Sequence, residues 1–66
     1  MKIGDQVICI DAGLEVPFSS GAVGSVASVV SIPGGEEYVT FVPDLHEGAY
    51  VMRASRFVLN PRVKNK

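Results

Sequence analysis

Tryptophan is absent from this 66-residue chain, cysteine and histidine occur once each, and no apolar run approaches the length of a membrane span. Each shortage closes a route. A single cysteine, Cys9, excludes an internal disulfide, and one Cys with one His excludes the usual zinc-ligand spacings. A fold this small buries only about 60% of its unfolded surface, so its apolar core must hold it alone or share the task with a second copy. A transmembrane helix needs about 20 apolar residues in succession, and none is available. The opening Met1-Lys2-Ile3-Gly4-Asp5 lacks the apolar segment of a signal peptide, Lys2 stands where myristoylation needs glycine, and there is no N-x-S/T sequon. The expected location is therefore a reduced, cytoplasmic compartment, with which one free thiol is compatible.

Charge is plentiful but unevenly placed. All seven acids (Asp5, Asp11, Glu15, Glu36, Glu37, Asp44, Glu47) precede Arg53, and Lys2 is the only base among them. The other five bases, Arg53, Arg56, Arg62, Lys64 and Lys66, follow with no acid between them. The net charge of −1 thus conceals an acidic body with a basic end. Such a body repels phosphate backbones, while the end attracts anions.

Short runs of alternating apolar residues, frequent valine and a scatter of seven Gly and four Pro predict an all-β domain. Residues 5–10 form the first strand, with Val7 and Cys9 on one face and Ile8 and Ile10 on the other. A long irregular connection, Asp11 to Gly21, follows, in which Leu14, Val16 and Phe18 alternate as part of a loose hairpin arm. The run from Gly24 to Ile32 holds Val26 and Val29, which face the same side only if a β-bulge intervenes near Ala27-Ser28. Pro33-Gly34-Gly35 is a tight turn that pairs this run with Glu37–Val42 as a hairpin. A polar loop, 43–48, leads to a fourth strand over Ala49–Arg53. Ala54-Ser55-Arg56 suits one 3₁₀ turn, and Phe57-Val58-Leu59 is a short fifth strand that Asn60-Pro61 ends. The predicted core is Val7, Cys9, Val26, Val29, Val39, Phe41, Val51, Phe57 and Leu59.

Five short strands, a long first loop and a 3₁₀ turn before the last strand describe an SH3-like barrel over residues 1–60, with a basic, disordered tail over 61–66. Lys2-Ile3-Gly4-Asp5-Gln6-Val7 resembles the x-x-G-D-x-V opening of KOW-type domains, and Gly24-Ser25-Val26-Ala27-Ser28-Val29 resembles their G-x-V-x-x-V segment. The layout over roughly residues 3–60 is also similar to that of the PsaE family of photosystem I accessory subunits. There a G-x-V-A-S-V strand, a tyrosine-bearing hairpin strand and a short last strand come in the same order. The resemblance implies the fold. It does not carry function with it. The acidic body departs from basic, RNA-binding KOW domains, and the missing tryptophan departs from SH3 domains that read proline-rich peptides.

No catalytic constellation emerges. Cys9 and His46 are the types for a nucleophile and its base, but Cys9 lies between isoleucines in a strand, where a thiol behaves as a small hydrophobe. Asp44, His46 and Glu47 share a loop as solvated residues, without the supporting contacts that a metal site requires. Glu36-Glu37 reads as a charged hairpin end that discourages edge aggregation. Gly21 to Gly24 lacks the Lys-Ser/Thr of a phosphate loop. No enzyme activity, cofactor or metal is therefore expected.

The expected function is a small non-catalytic protein-binding module or accessory subunit, a style of chain that also suits a phage- or plasmid-encoded modulator of a host protein. Phe18, Tyr38, Tyr50, Arg53 and Arg56 are its candidate anchors, since Tyr and Arg are enriched at interface hot spots. The apolar residues of the first loop either meet that partner or fold back to cap the barrel. Self-association is a further way to bury apolar surface. The alternative is a KOW-like nucleic-acid or ribonucleoprotein binder that uses Arg53, Arg56, Arg62, Lys64 and Lys66. Tyr50 and Phe57 would supply its stacking surfaces.

Overall fold

The computed structural model describes residues 1–62. Its strands are β1 (Gln6–Cys9), β2 (Val23–Ser31), β3 (Glu37–Pro43), β4 (Tyr50–Arg53) and β5 (Phe57–Leu59), with a 3₁₀ turn, η1 (Ala54–Arg56), between the last two. All neighbours in the sheet are antiparallel, in the order β4-β3-β2-β1-β5. The expected all-β class, the five strands and the 3₁₀ turn are all present.

The sheet is strongly curled. In a flat sheet β3 and β5, three strand spacings apart, would be separated by about 14 Å. Yet the rings of Phe41 on β3 and Phe57 on β5 have centroids 4.8 Å apart. Two local devices allow the bend. The pairing of β2 with β3 passes from Val26↔Phe41 to Ser28↔Thr40, leaving Ala27 unopposed, which is the bulge that the Val26/Val29 spacing requires. At Gly24 the two strands approach so closely that a Cβ would lie 2.8 Å from both Phe41 Cε1 and Pro43 Cα, and closer still to the Val42 carbonyl. Only glycine fits there. The hairpin turn has Pro33 at its second position and Gly34, with φ +72°, at its third. Gly35 N–H closes it by donating to Ile32 O at 2.8 Å, the pattern of a type II turn.

Curling gathers one face of all five strands into a single core of Val7, Cys9, Val26, Val39, Phe41, Met52 and Phe57, to which the first loop adds Ala12 and Phe18. Val29 is half-buried against it, opposite Val39. Two expected core members lie outside. Val51 is 70% exposed because its neighbours Tyr50 and Met52 take the inner face of β4, and alternation turns Val51 outward. Leu59, the last residue of β5, is 51% exposed. The 14–18 segment forms bends and no hairpin arm. Asp5 is the one buried charged residue of the described set, and its carboxylate accepts the Lys2 backbone N–H at 2.8 Å to close the turn before β1. No helix among the described residues is long and apolar enough to cross a membrane.

Candidate functional site

The first loop does not lie flat on the sheet. Phe18 turns inward, 4% exposed, and sets its ring edge against Phe41 and Tyr50, each with centroids 5.3 Å away. Its burial removes it from the candidate contact surface and makes it the cap over one end of the core. The expectation of an exposed Phe18 anchor is corrected accordingly. A phenyl ring so placed hides far more apolar surface than any polar loop residue can.

The rest of the loop is held away from β4 by two kinds of fastening. Ala12 N–H donates to Ser20 Oγ at 3.1 Å, across the loop. At the other end, Ile10 N–H donates to the Arg56 carbonyl at 2.8 Å, and Arg56 Nη1 donates to the carbonyls of Asp11 and Ala12 at 3.4 Å each. Gly13 adopts φ +72° directly over that guanidinium, where a Cβ would sit 2.9 Å from Nη1. The loop therefore stands as a wall. Between it and the sheet lies an open groove of about 650 Å³.

One wall of the groove is residues 12–16 and the other is Ala49 to Arg53, with Tyr38 and Arg56 at one end. Four of the five candidate protein-contact residues, Tyr38, Tyr50, Arg53 and Arg56, thus line one concavity. Tyr38 and Arg53 are direct cross-strand partners. Tyr50 is fixed twice, by the Phe18 ring and by its phenol, which donates to the Glu47 carbonyl at 2.9 Å. Arg53 Nε pairs with Glu36 at 2.7 Å, both side chains about half exposed. Leu14, wholly exposed at the rim, and Val51 complete an apolar lining. Val51 is a groove residue that the sequence reading assigned to the core. Alternation puts it on the face opposite Tyr50 and Met52, and the burial of those two makes that face the outer one.

The remaining candidates are placed as follows. Cys9 is fully buried and its pKa is raised, burial being the main cause, while a hydrogen bond to the Asp11 backbone and the Arg56 charge pull the other way. His46 is exposed, its ring 6.1 Å from that of Phe18. Among the described residues no three His, Cys, Asp or Glu side chains gather as a metal ion would require. Of the basic set, Arg53 is engaged with Glu36 and Arg56 with the first loop. Arg62 is exposed, and Lys64 and Lys66 lie outside the described residues. A smaller hollow of about 230 Å³ lies behind Phe18, bounded by Ala22, Val23, Pro43, Leu45 and His46. Comparison of the chain with protein-family models, with curated proteins and with solved structures finds no match.

Proposed function

We propose that the chain is a small non-catalytic binding module or accessory subunit, built on an SH3-like barrel, that engages another protein through the groove between its first loop and β4. The observation that carries this reading is the convergence of Tyr38, Tyr50, Arg53 and Arg56 on one groove with Leu14 and Val51 exposed along it. Aromatic and arginine anchors beside uncovered aliphatic groups are the composition of an interface core. The curl that brings Phe41 onto Phe57 supports the barrel form of the sheet.

Site-specific photocrosslinking tests the reading. A benzophenone side chain at position 14 is expected to capture a discrete protein in cells. The same group at Leu45, exposed on the smaller hollow and not on the groove, is expected not to. Capture should survive nuclease and high salt, persist after deletion of residues 62–66, and be lost in Val51→Glu. Val51 is exposed, so the variant keeps the fold. Capture that disappears with nuclease or with the 62–66 deletion would instead support the nucleic-acid reading. Equal capture from positions 14 and 45 would remove the groove from consideration.

A further inference from the structure

Charge sets the groove apart from the rest of the surface. Glu15, Arg53 and Arg56 line it, and Glu36 is paired with Arg53 beside them. Acids and bases there are equal in number. Elsewhere among the described residues, Asp5, Asp11, Glu37, Asp44 and Glu47 stand against Lys2 and Arg62 alone. Two copies approaching through the remaining surface meet mainly acid against acid. Approaching groove to groove, they set both signs against both signs.

Shape points the same way. The groove reaches from the first loop across β4 to Tyr38 on β3, so it is a hollow in a face of the molecule. Its rim carries a projection, Leu14, which is 101% exposed, and its lining includes Val51, 70% exposed. A two-fold interface uses one patch twice, so that patch must hold both halves of every contact. This one holds a knob and a hollow, and two acids and two arginines.

We propose that the groove is an interface between two copies of this chain, paired about a two-fold axis, with Leu14 of each copy seated against Val51 of the other and Glu15 of each paired with Arg53 of the other. The inference rests on the protein-binding reading of the groove and names its occupant.

The polar contact has room on both sides. Glu15 directly follows Leu14 and has no ion pair within the described residues. Arg53 meets Glu36 at Nε, 2.7 Å away, and the guanidinium carries further donors in a fork that suits a second carboxylate. The apolar contact meets a need of the fold. A chain of this size with no disulfide has little core of its own, and covering Leu14 and Val51 with a second copy adds buried apolar surface without lengthening the chain.

The experiment is sedimentation equilibrium of the purified full chain over a range of concentrations. The mass is expected to rise from 7.0 kDa to twice that value and to stop there, since a two-fold contact closes on itself. Val51→Glu should weaken the pair by more than about tenfold, and Glu15→Arg or Arg53→Glu alone by about tenfold, because each sets like charges face to face. Mixing the Glu15→Arg chain with the Arg53→Glu chain should restore pairing as a heterodimer, since every crossed contact then joins opposite signs. That recovery cannot come from a damaged fold. A chain still monomeric at about 1 mM, growth past the dimer, charge variants that associate like the parent, or a mixture that stays monomeric would each overturn the proposal. If the purified chain is monomeric while position 14 captures a different protein in cells, self-pairing fails and the protein-binding reading stands. If position 14 captures nothing as well, both fall.

Discussion

Phe41 and Phe57 touch, with ring centroids 4.8 Å apart, although β2 and β1 separate their strands in the sheet. This contact joins the two halves of the curled sheet, and both rings are almost wholly buried. Phe41→Ala is expected to cost about 3–5 kcal/mol. A chain of this length has stability on the order of 3–10 kcal/mol, so the variant should be largely unfolded by circular dichroism at room temperature. A cooperative melt close to that of the parent would contradict the central place given to this pair.

Phe18 belongs to the core although it sits in a loop. Phe18→Ala should lower stability by about 3 kcal/mol in urea unfolding. Phe18→Leu, which keeps most of the apolar volume, should cost under about 1.5 kcal/mol. Two variants equal to the parent would mean that the ring is not buried.

Gly24 is fixed by the close approach of β2 to β3. Gly24→Ala forces its methyl against Phe41 Cε1 and Pro43 Cα and should destabilise by about 1–3 kcal/mol. Gly34→Ala, in open space but at φ +72°, should cost about 1 kcal/mol through backbone strain alone. The order of the two midpoints is the measurement.

The five strands, the bulge at Ala27, the Pro33-Gly34 turn and the 3₁₀ turn were legible in the sequence because each is written locally. Alternation marks strands, and glycine and proline mark turns. Which face of β4 turns inward was not. Tyr50 and Met52 on one side and Val51 and Arg53 on the other fit period two equally well in either orientation. Only the Phe18 ring, arriving from a distant loop to pack on Tyr50, decides between them. The groove was half legible: its residue types, tyrosine and arginine, stood out. The wall that makes it a groove depends on hydrogen bonds from Arg56 to a loop more than forty residues earlier.

Cys9 supplies a pH test. Burial raises its pKa above the ordinary value of about 9.0. The folded state thus favours the neutral thiol. Its contribution to stability is complete below the unfolded pKa and is lost as pH rises through the folded one. Urea midpoints should therefore fall above about pH 9. Cys9→Ala should begin from a lower stability and show a shallower alkaline decline. At neutral pH the native thiol should resist Ellman's reagent until the chain unfolds.

Arg53 and Arg56 should separate cleanly. The half-exposed pair Arg53–Glu36 is worth under about 1 kcal/mol, so Arg53→Ala should leave the melting point nearly unchanged. Arg56→Ala releases the carbonyls of Asp11 and Ala12, and amide exchange across residues 11–16 should accelerate while that of β2 and β3 stays as before.

β1 lies between β2 and β5, with Val7 opposite both Gly24 and Leu59. Its second neighbour is therefore synthesised some fifty residues after it. On the ribosome the sheet cannot be completed until Leu59 has cleared the exit tunnel, and until then the far side of β1 stays open. Closing so long a loop places folding among the slow, high-contact-order β proteins, on the order of milliseconds to seconds.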